Sequence, residues 1–226
     1  MTLIQITTAL YATMLTNFYG FKLKAVSKKE EKKKLRIAYS QTLLNKLNIN
    51  IKVLNPEKLP RNGQYLLISN HKSVIDPLII ELATKDTELF GYWIAKKELY
   101  KSFFFGTFVR NGGAIIIDRE NSKMSSFFSD IKKCVKDGNS IYIFPEGTRN
   151  KTTEPLGEFK EGSKIIALKN RLPILPLHIK TNANDVLMSA LKYRDKPYTI
   201  EVEVGDIIDY KDRTLSLDKA YKKQFY

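Results

Sequence analysis

The stretch ISNHKSVIDP, residues 68–77, leads from a predicted strand into a predicted helix. Residues 65–68 form a short apolar run, which is typical of a buried strand. Asp76 followed by Pro77 predicts a helix start, since the carboxylate can accept from free backbone N–H groups and proline gives up a donor that has no partner there. His71 is therefore expected on a strand-to-helix turn, where ligands usually bind in open α/β sheets.

The spacing of His71 and Asp76 suggests an acid–base pair. On one continuous helix the two side chains would point about 140° apart, so a turn between them is what would let the carboxylate reach the imidazole. A carboxylate on one ring nitrogen fixes the tautomer and raises the basicity of the other, which can then take a proton from a hydroxyl group. The alternative is that His71 lies in a loop and Asp76 only caps a helix.

The chain alternates between predicted strands and helices from Ile49 onwards. This order predicts an α/β fold with a mixed, mostly parallel central sheet that is flanked by helices. The predicted strands are 49–53, 65–68, 88–95, 114–117, 140–144, 173–179 and 198–204, and the predicted helices among them are 76–83, 122–136 and 162–169.

Residues 1–48 predict an amphipathic helical hairpin that associates with membranes and precedes an α/β domain at 49–226. Residues 1–21 carry no charged side chain, but their threonines make them less apolar than a membrane span. Their apolar residues share one helical face, which suits a helix lying in the membrane interface. The lysine-rich run at 22–36 favours anionic lipid on the cytoplasmic side. The alternative is a solvated charged face on a helix that packs against the domain.

The composition limits the classes of partner and chemistry. Lys and Arg number 38 against 24 Asp and Glu, a net charge of +14 that predicts attraction to nucleic acid, anionic lipid or phosphorylated substrates. The single cysteine, Cys134, excludes an internal disulfide, and its helical spacing with Ile131 and Val135 favours a core position. No Cys or His cluster has the spacing of metal ligands, and no nucleic-acid-binding motif occurs.

The ends of other predicted strands carry residues suited to an anion. In the run from Phe144 to Arg149, Gly147 permits an unusual backbone bend and Arg149 offers a planar fork for a phosphate. Lys96 and Arg119 end two other strands and could face the same anion or be solvated. Their occurrence together with His71 predicts a phosphate-binding cleft.

Two further features of the sequence allow more than one interpretation. The phenylalanines at 103–105 and 108 are interpreted as an acyl-chain wall, a membrane contact or core. His178 lies inside a strand pattern, where a histidine is more often a structural residue than a base.

Four blocks of sequence, taken in order, resemble the glycerolipid acyltransferase family, specifically its 1-acylglycerol-3-phosphate acyltransferases. The blocks lie at residues 70–77, 96–119, 144–149 and 173–176, so the resemblance covers about residues 50–180. It implies transfer of a fatty acyl group from an acyl carrier protein or coenzyme A thioester to the 2-hydroxyl of lysophosphatidic acid, giving phosphatidic acid without a bound cofactor.

The resemblance also implies roles for residues. His71 would be the general base and Asp76 would hold and polarise it. The residues that would bind the substrate phosphate are Glu146, Gly147, Thr148, Arg149, Arg119 and Lys96. The enzyme would act at the cytoplasmic face of the cell membrane. An acyltransferase for glycerol 3-phosphate or another lysolipid, and a non-catalytic lipid-binding module, remain as alternatives.

Overall fold

A mixed sheet of seven strands forms the centre of the part of the chain that the computed structural model describes, residues 3–118 and 124–226. The strands are β1 (Ile49–Leu54), β2 (Leu66–Ser69), β3 (Gly91–Lys96), β4 (Ala114–Ile117), β5 (Ser140–Ile143), β6 (Ile174–Ile179) and β7 (Tyr198–Val204). They lie in the order β1-β7-β6-β2-β5-β3-β4, and every adjacent pair is parallel except β6 with β7. The predicted fold class is confirmed.

Helices cover both faces of this sheet. They are α1 (Leu3–Lys24), α2 (Lys29–Lys46), α3 (Asp76–Ala83), α4 (Lys97–Lys101), α5 (Gly106–Gly112), α6 (Ser125–Lys136), α7 (Gly162–Asn170), α8 (Ala183–Lys192) and α9 (Leu217–Phe225), with a 3₁₀ turn at Pro56–Lys58. Residues of α2, α3 and α8 join one apolar core, and residues of α6, α7 and α9 join the other. Strand β2 contributes Leu67 to the first core and Leu66 and Ile68 to the second, as alternation along a strand requires.

The strands and helices expected from the pattern are present, with shifted ends. The expected strand at 88–95 is observed as β3, three residues later at its start. Of the helix expected over 122–136, α6 is observed as Ser125–Lys136, and residues 122 and 123 lie outside the described residues. The sequence pattern did not reveal α4, α5, α8 and α9. Helices α4 and α5 are only 5 and 7 residues long, too short to show a helical repeat.

The N-terminal helices pack on each other and on the α/β body. Between them, the hydroxyl groups of Thr16 and Tyr39 lie 2.8 Å apart. Leu44 of α2 and Leu47, which directly follows that helix, belong to the first core. The domain boundary at residue 48 stays a prediction. Within the described residues, no helix is both long enough and apolar enough to cross a membrane.

Five neighbouring strands, β6, β2, β5, β3 and β4, run in the same direction. Their carboxyl ends therefore share one edge of the sheet. The residues that follow β2, β5 and β3 are the ones in which the sequence predicts a site, so the topology gathers them at that edge.

Candidate active site

His71 and Asp76 face each other across the turn between β2 and α3. The Oδ2 atom of Asp76 lies 2.8 Å from Nδ1 of His71, and it also accepts the backbone N–H groups of Lys72 and Ser73 at 2.7 Å each. Since an ionised carboxylate only accepts hydrogen bonds, Nδ1 carries the hydrogen and Nε2 keeps the lone pair. The Asp76 side chain is buried and that of His71 is 17% exposed, so the imidazole can meet a substrate.

The Asp76 carboxylate is directed at the turn rather than at the helix. Helix α3 begins at Asp76 with Pro77 in its first turn, as predicted, but Ile75 precedes it without a side-chain cap. The expected bonds from the first N–H groups of α3 to Asp76 are not observed. Oδ2 accepts two N–H groups of the turn and faces the imidazole, and the buried Oδ1 has no hydrogen-bond partner among the described residues. The geometry is the His–Asp pairing that the spacing suggested.

Glu146 is a buried support for the same turn. Its Oε1 accepts the backbone N–H of His71 and its Oε2 accepts that of Gly157, each at 2.7 Å. Burial raises the pKa of Glu146, and the two backbone N–H groups act in the opposite direction. Both carboxylate oxygens are therefore engaged with the protein, and this arrangement holds the backbone of His71 in place.

The loop after β5, which carries Arg149, contacts the His71 turn through its backbone. Gly147 has a φ of 69°, which favours glycine, and its N–H donates to Phe144 O at 2.9 Å. The chain then passes Thr148 and Arg149, both exposed, and the N–H of Asn150 donates to His71 O at 2.6 Å. This bond brings the residue next to Arg149 into contact with the backbone of His71. Arg149 makes no ion pair with any described residue.

The two remaining predicted phosphate ligands are Lys96 and Arg119. Lys96 ends β3, next to β5 at the same edge of the sheet, and is half-buried. Arg119 lies outside the described residues, directly after Asp118.

A buried polar network behind the turn was not predicted. The Asn70 side chain donates to Ile179 O at 3.0 Å and accepts from Ile179 N at 2.8 Å, which ties the end of β2 to the end of β6. The Tyr221 hydroxyl accepts from Asn70 N at 3.2 Å and lies 3.1 Å from Nδ1 of His178. Asn70 belongs to the His71 block and could have been singled out. No local pattern points to Tyr221, because α9 follows β2 by about 150 residues.

Two other reactive side chains are structural. Burial, with the nearby charges of Lys180 and Lys72, lowers the pKa of His178 to about 4, so its imidazole is neutral in the fold. Burial raises the pKa of the Cys134 thiol to about 12, which leaves it without thiolate character. Both outcomes agree with the sequence interpretation. Among the described residues, no group of His, Cys, Asp and Glu side chains could hold a metal ion.

The arrangement therefore combines a polarised imidazole with an exposed arginine, Arg149, on the adjoining loop. An imidazole with a carboxylate on Nδ1 can accept a proton from a hydroxyl group through Nε2. An exposed arginine at the same edge can bind a phosphate on the molecule that carries this hydroxyl.

Comparison with known proteins identifies relatives of this chain. A family described as "Acyltransferase" matches residues 50–180. A 1-acyl-sn-glycerol-3-phosphate acyltransferase from Helicobacter pylori is 33% identical over 171 residues, covering 73% of this chain and 71% of the relative. The enzyme of the same name from Streptococcus pneumoniae is 30% identical over 171 residues, covering 75% of this chain. The match covers only 60% of that relative's length.

A solved structure shares the fold. The crystal structure of the 1-acyl-sn-glycerophosphate (LPA) acyltransferase from Thermotoga maritima superposes with a TM-score of 0.67 and covers 98% of this chain and 92% of its own. The two sequences are 20% identical, so this likeness concerns the fold alone.

Proposed function

Since the chain belongs to the acyltransferase family, we propose that it transfers a fatty acyl group from a thioester to the 2-hydroxyl of lysophosphatidic acid, which gives phosphatidic acid. The relatives from Helicobacter pylori and Streptococcus pneumoniae carry the name of this activity. The observation that carries the proposal is the His71–Asp76 pair, held 2.8 Å apart at the strand edge where Arg149 is exposed.

His71 is the general base in this reaction. Its Nε2 takes the proton of the acceptor hydroxyl as the oxygen attacks the thioester carbonyl and a C–O bond forms. Asp76 stabilises the imidazolium on its other side. When the tetrahedral intermediate collapses, the C–S bond breaks and the thiol leaves with the proton from His71. The N–H groups of residues 71–73 already donate to Glu146 and Asp76, so the oxyanion takes its hydrogen bonds from other donors.

The acceptor phosphate binds along the loop after β5. Arg149 supplies a forked, charged donor, and Gly147 and Thr148 shape the backbone beside it. Lys96 adds positive charge from the end of β3, and Arg119 is proposed as a further ligand from its place in the sequence after β4. Glu146 contributes by supporting His71, because a carboxylate with both oxygens engaged is a poor ligand for a phosphate.

The acyl donor is a thioester of acyl carrier protein or coenzyme A. No bound cofactor is needed, because the thioester already carries the activated acyl group. The net charge of +14 suits either donor, since the carrier protein is acidic and coenzyme A is phosphorylated.

The substrate is a lipid, and one surface of the protein suits contact with a bilayer. Helix α1 exposes a row of large apolar side chains, among them Leu10 at 60% and Met14 at 74%. Phe103, 81% exposed, lies next to α1, because Asn17 donates to its carbonyl at 3.4 Å. We propose that this surface contacts the cytoplasmic face of an anionic membrane. The exposed lysines that accompany it are Lys22, Lys24, Lys28, Lys29 and Lys34.

The decisive experiment measures acyl transfer by the purified protein to lysophosphatidic acid from both donors, with His71→Ala alongside. Phosphatidic acid formed by the native protein and reduced at least about 100-fold in the variant is the expected result. An Arg149→Ala variant is expected to raise KM for lysophosphatidic acid. Near-native turnover in His71→Ala would overturn the mechanism. Product from glycerol 3-phosphate or another lysolipid, with none from lysophosphatidic acid, would reassign the acceptor.

A further inference from the structure

The His71 ring lies flat against an aromatic stack that the acid–base mechanism does not require. The ring centroids of His71 and Phe144 are 4.1 Å apart with an angle of 11° between the ring planes. Phe144 in turn stacks on Trp93, at 5.1 Å and 25°. Three rings, one from inside β3 and two from the residues that follow β5 and β2, therefore form one continuous column that ends at the imidazole.

The sheet register brings these rings together. Ile68 of β2 pairs with Ile143 of β5, so the residues that follow both strands are neighbours at the sheet edge. Trp93 of β3 pairs with Tyr142 of β5, and Phe144 is two residues further along the same face. The Trp93 and Tyr142 rings also meet edge to face at 5.3 Å. Hydrogen bonding among β2, β5 and β3 therefore fixes the relative positions of the three residues whose rings form the column.

A buried ion pair fixes the orientation of the indole. Trp93 Nε1 donates to Glu81 Oε1 at 2.8 Å, and the guanidinium of Arg36 pairs with the same carboxylate. Arg36 also donates to the carbonyls of Gly91 at 2.8 Å and Gly112 at 3.1 Å. Arg36 and Glu81 are both buried, so the acceptor that holds the indole is itself immobilised.

We propose that Phe144 and Trp93 are positioning residues for the general base. The hydrogen bond to Asp76 restrains only one atom of the imidazole, so the ring can still rock through small changes in χ1 and χ2. Stacking on Phe144 removes this motion and keeps Nε2 aimed at the acceptor hydroxyl, while Trp93, anchored by Glu81, prevents Phe144 from turning away. This proposal rests on the proposed function, since it assigns His71 as the base.

Substitution of Phe144 tests the proposal through turnover. Phe144→Leu keeps an apolar side chain but loses the flat face, and we expect kcat to fall about tenfold or more with KM for lysophosphatidic acid within twofold. Phe144→Tyr restores the ring and is expected to restore most of kcat. Phe128→Leu is the matched control, because Phe128 is another half-buried phenylalanine with an aromatic partner, Phe127, and it does not contact His71.

Nuclear magnetic resonance of the histidine rings supplies a readout that is independent of activity. The chain has two histidines, so the spectrum of ¹³C-histidine-labelled protein contains two sets of ring signals, and His71→Ala identifies those of His71. A ring stacked on an aromatic face has its proton signals shifted upfield by the ring current. We expect this shift to be lost in Phe144→Leu and kept in Phe144→Tyr and Phe128→Leu.

The outcomes separate this proposal from the proposed function. An unchanged kcat in Phe144→Leu, or an unchanged His71 signal, would overturn the positioning role while His71→Ala still tests the base. An equal loss of kcat in Phe128→Leu would show a general packing effect and would also overturn it. Should Phe144→Leu fail to fold, Trp93→Leu against Trp93→Phe applies the same test one ring further away. We expect kcat to fall about threefold or more in Trp93→Leu and less in Trp93→Phe, which keeps a ring against Phe144 but loses the bond to Glu81. A native kcat in Trp93→Leu would overturn the role of Trp93.

Discussion

At the scale of single residues, the site depends on a close approach between Gly157 and Glu146. A Cβ atom added to Gly157 would lie 2.4 Å from Oε2 of Glu146, the atom that accepts the Gly157 N–H. The other oxygen of this carboxylate holds the backbone of His71. A methyl group at residue 157 would therefore push Glu146 away from the catalytic turn.

Gly157→Ala is expected to lower kcat by about tenfold or more, since small displacements of a catalytic group are costly. It is also expected to lower the free energy of unfolding by about 1 to 3 kcal/mol through overpacking. Acyl transfer assays and urea unfolding measure the two effects. Gly162→Ala is the control, because a Cβ added there would meet open space. Native turnover in Gly157→Ala would show that Glu146 does not hold the turn.

At the scale of the element, α1 combines a packed face with an exposed face. On the packed face, Asn111 of α5 donates to Gly20 O at 3.0 Å, and a Cβ on Gly20 would lie 2.8 Å from Phe108 N. On the other face, Leu10, Met14 and Phe18 are 60%, 74% and 52% exposed. A helix held so closely on one side presents its apolar side chains as a fixed surface, which favours interfacial binding.

Substitution on this face is expected to weaken membrane binding without unfolding the protein. Leu10→Gln with Met14→Gln should lower the affinity for vesicles of phosphatidylglycerol and phosphatidylcholine by about tenfold or more, because two apolar side chains leave the bilayer interface. Vesicle flotation measures this change. Ile207→Gln with Leu215→Gln, 47% and 38% exposed and distant from α1 in the chain, is the matched control. Equal flotation of both variants would contradict the role of α1.

At the scale of the whole molecule, a buried neutral histidine links stability to pH. His178 has its pKa lowered by burial from 6.5 to about 4, whereas in the unfolded chain it titrates at the higher value. As pH falls below 6.5, the unfolded chain binds a proton that the fold resists, so stability is lost until the pH reaches the folded pKa. His178 lies in the network with Tyr221 and Asn70 that joins β2, β6 and α9, so this protonation acts on the packing of several elements.

The free energy of unfolding is therefore expected to fall by about 3 kcal/mol between pH 7 and pH 4 through His178 alone. Urea unfolding at a series of pH values measures the total dependence. His178→Asn, which keeps a polar partner for Tyr221, is expected to flatten the curve in this interval. The difference between the native and variant curves isolates His178 from the other titrating groups. Parallel curves would show that His178 is not the responsible group.

The sequence by itself determined the fold class and predicted that the His71 and Glu146 blocks lie at one edge of the sheet. Alternating strands and helices predicted the mostly parallel sheet, and the His71 and Glu146 blocks each followed a predicted strand, so parallel pairing had to bring them to one edge. The His71–Asp76 pairing was one of two interpretations of the spacing. Local patterns predict these features because strand and helix periodicity, and the spacing of His71 and Asp76, involve residues only a few positions apart.

Only the tertiary structure decided how the site is held. In the fold, the Asp76 carboxylate accepts N–H groups of the His71 turn, and both oxygens of Glu146 accept backbone N–H groups. The ring of Phe144 lies stacked between His71 and Trp93. The fold also links Asn70 to Tyr221, which α9 supplies from about 150 positions away. These contacts join residues that are distant in the chain, and their existence depends on strand order, register and packing, which periodicity within one segment does not encode.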